Sequence, residues 1–201
     1  MVTDMGTNMN KLSILLIAAL ITGCGAANMR IGSSPKLEVK AGGKDATLNL
    51  KSGATYLGNV ISTAPGKPNV QTFAHTIYLA NYDMDTSYPG WVRKPLAAPE
   101  HMRIDIQITG EEGTKDDSPF KVGTYSGKAD KFNGVRSVII NSIVDGKETK
   151  TSFDTFSSSK PVDGELKITE VTAETVSGEV NLREGGNSIK GTFTASLPKK
   201  K

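Results

Sequence analysis

Few side chains in this 201-residue chain could do covalent or metal chemistry: one cysteine, Cys24, and two histidines, His75 and His101. A thiolate is a nucleophile and soft-metal ligand, an imidazole exchanges a proton near neutral pH, and tetrahedral zinc needs several of these groups brought together. In "FAHTIYLANY", His75 shares strand parity with Phe73, Ile77 and Leu79, which predicts a satisfied imidazole in or at the edge of the core rather than a ligand. His101 has the opposite parity from Met102, Ile104 and Ile106, which puts it with Arg103 and Asp105 on a solvent face. With the two imidazoles diverging and no free thiol to join them, no zinc site is expected.

Carboxylates cluster at Asp83 and Asp85 in "DMD" and at Glu111, Glu112, Asp116 and Asp117 in "EEGTKDD". Calcium takes several oxygens at about 2.3–2.6 Å, but neither stretch has the spacing of a calcium loop. Solvated turns, with charges that discourage edge-to-edge aggregation, are the expected role. Ser157 with Lys160 and Ser33 with Lys36 match S-x-x-K, which works at a helix start; here one pair falls in a serine-rich turn and the other in the polar tether ahead of the domain. The chain has no G-x-S-x-G, no P-loop and no dinucleotide fingerprint, so the reading calls for no cofactor and no catalytic residue. A hydrolytic carboxylate pair is defined by separation in space, which leaves a carboxylate-dependent hydrolase open.

The surroundings of Cys24 are more specific. Lys11 precedes an apolar run, Leu12 to Ile21, interrupted only by Ser13. A base followed by a short apolar segment is the layout of a secretory signal, and the run is too short to cross a bilayer, which needs about 20 apolar residues. It ends in Ile21-Thr22-Gly23-Cys24. This tetrapeptide resembles the lipobox of bacterial lipoproteins. The resemblance implies a diacylglyceryl thioether on Cys24, cleavage between Gly23 and Cys24, and acylation, palmitate included, of the new amino group. Each buried methylene contributes about 0.8 kcal/mol, so two or three chains make a stable anchor where one binds reversibly. "MVTDMGTN" places Asp4 where the leader should be basic, and Met9 is the expected true start.

Three segments follow: a signal peptide at 1–23, the lipidated cysteine with a flexible tether at 24–35, and one β-rich domain at 36–201. Removing residues 1–23 takes away one base, Lys11, and one acid, Asp4, so the formal charge stays at +3. Such a small excess, interspersed with acids, excludes a nucleic-acid footprint. Once Cys24 is acylated no thiol is left to pair, so stability must come from the core.

Those elements must position whatever chemistry the chain does. Alternation of period two marks strands in "KLEVK", "ATLNL", "HMRIDIQITG", "GELKIT", "VSGEVNL" and "SIKGTFTASL", separated by turn clusters such as "AGGKD", "DGKE" and "REGGN". The spacing predicts about nine to eleven strands, mostly antiparallel hairpins, in an all-β fold: an antiparallel β-sandwich, with a β-barrel as the alternative. The stretch from Asn81 to Met102 lacks clean alternation. A long excursion of this kind is often functional, and Tyr88, Trp91, Arg93 and Lys94 are its candidate contact residues, with a cap on the core as the other reading for Trp91.

Residues 70 to 197, with "LANYDMD", "GELKITEVTAETVSGEVNL" and "IKGTFTAS", resemble a class of small exported bacterial lipoproteins with β-sandwich domains. The resemblance implies a place and a fold and transfers no catalytic residue. The expected protein is lipid-anchored to the envelope, at the periplasmic face of the outer membrane or at the cell surface, because Gly25 rather than aspartate follows the cysteine. Its expected role is non-catalytic, binding or structural, with membrane lipid as one partner and an envelope protein or small ligand as another. Carriage of a small apolar ligand inside a closed barrel is the alternative.

Overall fold

The computed structural model describes residues 35–62, 70–87, 94–128, 131–154 and 162–198. The signal peptide, Gly23, Cys24 and the tether as far as Ser34 lie outside the described residues, as do Tyr88, Trp91, Arg93 and the Ser157–Lys160 pair.

The described residues form twelve strands and no helix: β1 (Lys36–Ala41), β2 (Lys44–Asn49), β3 (Ser52–Tyr56), β4 (Asn59–Ser62), β5 (Val70–Ala80), β6 (Met102–Thr109), β7 (Gly123–Ser126), β8 (Gly134–Val144), β9 (Lys147–Asp154), β10 (Asp163–Val171), β11 (Thr175–Glu184) and β12 (Asn187–Ser196). The turns are those the sequence marks. Asp145 and Gly146, both at positive φ (51° and 73°), close the β8–β9 hairpin, the backbone a two-residue Asp-Gly hairpin loop demands.

The ladder runs β11-β10-β7-β8-β6-β5-β3-β12 and returns to β11, a closed eight-stranded β-barrel. Strands β1 and β2 extend from one edge of β12, β4 pairs with the start of β5, and β9 pairs with β8. This corrects the antiparallel sandwich in favour of the barrel. The physical reason is two short parallel contacts that a sandwich lacks, Ser126 with Gly134 between β7 and β8, and Ser196 with Ala54 between β12 and β3. At both places a long strand splits its edge between two neighbours. β12 gives one end of that edge to β1 and the other to β3, and β8 divides its own between β9 and β7.

One apolar core fills the lumen. Leu79, Ile77 and His75 on β5 face Ile104, Ile106 and Ile108 on β6, and Val138 and Ile140 on β8 continue the rows. From the other wall come Leu166 and Ile168, Val176, Val180 and Leu182, Ile189 and Phe193. These are the positions that alternation assigns to one face, and they are fully or almost fully buried. At about 1.5–3 kcal/mol for each large apolar side chain, this core carries the fold.

Candidate functional site

Strands β5, β6 and β8 also present an outer face. Cross-strand register places Tyr78, Asp105 and Ile139 in one row there, and Ala80, Arg103 and Asn141 in the next. Arg103 and Asp105, two residues apart, therefore stand side by side, and both are shielded: their side chains are 8% and 14% exposed. The guanidinium grips the carboxylate through two bonds, Nε to Oδ1 at 2.8 Å and Nη2 to Oδ2 at 3.3 Å. Asn141, itself buried, donates from Nδ2 to Asp105 Oδ2 at 3.0 Å. The Arg103 guanidinium also lies over the Tyr78 ring, 5.8 Å from its centroid.

The cover is the described part of the excursion between β5 and β6, residues 81–87 and 94–101. Asn81 clasps its two ends: its Nδ2 donates to Glu100 O at 2.7 Å, and its Oδ1 accepts from Met102 N–H at 2.8 Å. Ser52, at the start of β3, holds the first limb by donating to Tyr82 O at 2.6 Å and accepting from Met84 N–H at 3.2 Å. On the second limb, Leu96 is buried and Lys94 O accepts from Arg103 Nη1 at 3.4 Å.

Between the limbs is a cleft of about 110 Å³, lined among others by Tyr82, Asp83, Asp85, Lys94, His101 and Arg103. Its aromatic wall is Tyr82 stacked on His101, with ring centroids 4.3 Å apart and planes 14° off parallel. His101 Nδ1 is buried with no hydrogen-bond partner, an orphan that a bound group could satisfy. Asp85 on the rim accepts from both the amide and the hydroxyl of Ser87, which hold its carboxyl below the usual range. Burial pushes the Asp105 carboxyl up, against the pull of Arg103 and Asn141, and pushes the Tyr78 and Tyr82 hydroxyls up as well.

The face predicted for solvent is thus a covered one. His101, Arg103 and Asp105 do share it, but the excursion folds back over them. Of the four candidate contact residues, Lys94 alone is described; its side chain is exposed at the rim and its carbonyl meets Arg103. Asp83 reaches the cleft, whereas His75 is on the lumen face of β5 and does not converge with it. Glu111, Glu112, Asp116 and Asp117 are exposed in the β6–β7 loop, the solvated role expected of them. Among the described residues no three potential metal ligands come together.

Asn141, Tyr78 and Tyr82 are contributors that the sequence reading missed. The signal for them was an arginine and an aspartate on the same face in mid-strand, directly after the longest irregular stretch. No family model, no curated protein and no solved structure matches this chain.

Proposed function

We propose that the chain is an exported bacterial lipoprotein held to the envelope by acylated Cys24, with a β-barrel domain that binds a partner without catalysing a reaction. The observation that carries this reading is the run from Lys11 through the apolar Leu12–Ile21 segment to Ile-Thr-Gly-Cys. The outer cleft supports the binding role. Its Asp105 carboxylate is fully committed to Arg103 and Asn141, so it is an anchor for the cleft floor rather than a proton shuttle. A buried ion pair is seldom a gain over apolar packing of the same volume, and one set under a small open cleft is spent on shape and polarity at that place. A cleft of about 110 Å³ admits one projecting side chain of an envelope protein or a ligand of a few heavy atoms.

The carrier reading is left with less room, because the lumen is filled by side chains. A small apolar ligand would have to sit in the cleft of about 240 Å³ at the barrel mouth.

Two measurements test the proposal. Mass spectrometry of protein from native membranes is expected to give Cys24 as the first residue, carrying thioether-linked glyceride. A free thiol with the leader still attached overturns the anchor. Photocrosslinkers placed at Asp83 and Lys94 are expected to give one discrete envelope adduct that a crosslinker at Lys44, on the β1–β2 hairpin, does not. Identical adducts from all three positions overturn the binding site.

A further inference from the structure

We propose that His75 is a pH-operated latch on the barrel mouth, whose protonation releases the β3–β4 turn at Leu57 and Gly58 and opens the apolar cleft that this turn walls. The imidazole is wholly buried and stacked on Phe73 at 3.9 Å and 6°, with Phe120 of the loop tilted against it at 4.9 Å. Each ring nitrogen holds a different segment. Gly58 N–H donates to Nδ1 at 3.3 Å, which fixes the remaining proton on Nε2, and Nε2 donates to Ser118 O at 2.8 Å.

These two segments are the walls of one cleft. Leu57 precedes Gly58, Pro119 and Phe120 follow Ser118, and together with Val171 and Leu197 they enclose about 240 Å³ at the mouth. The loop is tied elsewhere at its ends. Gly113 N–H donates to Gln71 O at 2.8 Å, Thr114 Oγ1 accepts from Phe73 N–H at 3.2 Å, and the Tyr125 hydroxyl donates to Lys121 O at 3.1 Å. Between those ties, the His75 bond and the buried Phe120 ring fasten residues 115–120 to the barrel.

A second proton on the ring would place Nδ1–H against Gly58 N–H, two donors facing each other, while Nε2–H would keep Ser118 O, so the contact that fails is the one to the β3–β4 turn. The charged groups around the ring belong to the loop. Asp116 favours the imidazolium, Lys115 and Asp117 flank it, and Lys121 is paired with Glu111. Residues 57–58 and 73–77, and Ile108 across the ladder, bring no charge. Burial outweighs both the Ser118 carbonyl, which favours the charged ring, and Asp116, and holds the imidazole below its ordinary value.

The sign follows from which form takes the proton first. An imidazole released to water protonates near pH 6.5 and the latched one only at lower pH, so the latch is fully favoured above about pH 6.5 and loses ground as pH falls below it. One linked proton gives at most about tenfold per pH unit, so opening at pH 5 rises by up to about 30-fold over pH 7.5.

The test follows the processed chain from pH 7.5 to 5. Protection of the Gly58 and Ala74 amides, which tie the turn to β5, against hydrogen exchange is expected to fall and fluorescence of an apolar dye (anilinonaphthalene sulfonate) to rise severalfold, at constant far-UV circular dichroism. His75→Gln is expected to lose this response and His101→Gln to keep it. For the native chain alone, the His75 ring signal and these turn amides are expected to titrate with one midpoint. A response that survives in His75→Gln, a dye signal that rises only as the strands melt, or a His75 titration with an unmoved turn overturns the latch.

Discussion

Removing the charge from one member of the Arg103–Asp105 pair leaves the other charge shielded and uncompensated, and the double variant leaves none. Cutting one partner from a buried pair costs about 3–5 kcal/mol. The side chains retain 8% and 14% exposure, so the lower end applies. Arg103→Met, which leaves the Asp105 carboxylate with only Asn141, is expected to lose about 3 kcal/mol. Asp105→Asn, which keeps one acceptor for Nε–H, is expected to lose about 2 kcal/mol. The double variant buries no charge and is expected to lose about 1 kcal/mol, a coupling of about 4 kcal/mol. Urea unfolding at pH 7 and 25 °C measures all four corners of the cycle, and the Arg103→Met deficit corresponds to a Tm lower by roughly 6–12 °C. The Arg103→Met penalty has a pH signature. Burial already raises the Asp105 carboxyl, so without Arg103 the folded state binds a proton more readily than the unfolded one, and the deficit shrinks as pH falls towards 5. Single losses that simply add, within about 0.5 kcal/mol, would refute the claim that the excursion shields this face.

Two further outcomes follow from close packing. A Cβ on Gly110 would stand 2.2 Å from the Phe73 ring, so Gly110→Ala is expected to cost about 3 kcal/mol, against about 1 kcal/mol for Gly113→Ala, where only the positive φ of 82° opposes the methyl; thermal melts compare the two. The seams closing the barrel each rest on one parallel residue pair, so amides around Ala54 and Gly134 are expected to exchange at least tenfold faster than those in the middle of the β11–β12 ladder. Gly53→Ala, with its methyl 2.3 Å from Thr194 O, should widen that difference at the β3–β12 seam and leave the β7–β8 seam unchanged.

Alternation made β1, β2, β6, β10, β11 and β12 legible, because each alternates core-facing apolar residues with polar ones, and in all of them but β6 the polar face is towards water. It says little about β8, "GVRSVIINSIV", where both faces are largely shielded, or about β9, "KETKTSFD", which is mostly polar. The period of two states which residues share a face, and it placed His75 among the core side chains correctly for that reason. It does not state what lies over the other face. Arg103 and Asp105 looked solvent-exposed because their parity is opposite to that of Ile104 and Ile106, yet Asn81, Ser52 and Leu96 hold the excursion on top of them. The same limit explains the sandwich reading. Sandwich and barrel share every hairpin here, and they differ in two parallel pairs between strands far apart in the chain, at Ala54 with Ser196 and at Ser126 with Gly134.

Both features that hairpin grammar hides are features of closure, and they shape what the domain can bind. A sandwich open at its edges could add a partner's strand there. In this barrel the ladder closes on itself, so among the described strands the open edges lie chiefly on the appended ones and beside the two single-pair seams. The lumen is packed and excludes a ligand there. On the binding role proposed above, recognition would fall to the places where loops fold back over the wall, namely the outer cleft beside Tyr82 and His101 and the mouth beside His75 and Phe120. One histidine sits at each. His101 Nδ1 is buried without a hydrogen-bond partner, while both nitrogens of His75 are occupied, so a second proton there must displace Gly58 N–H. On the two proposals above the sites differ in kind: the first would take up a partner, and the second would be a fastening that acid loosens.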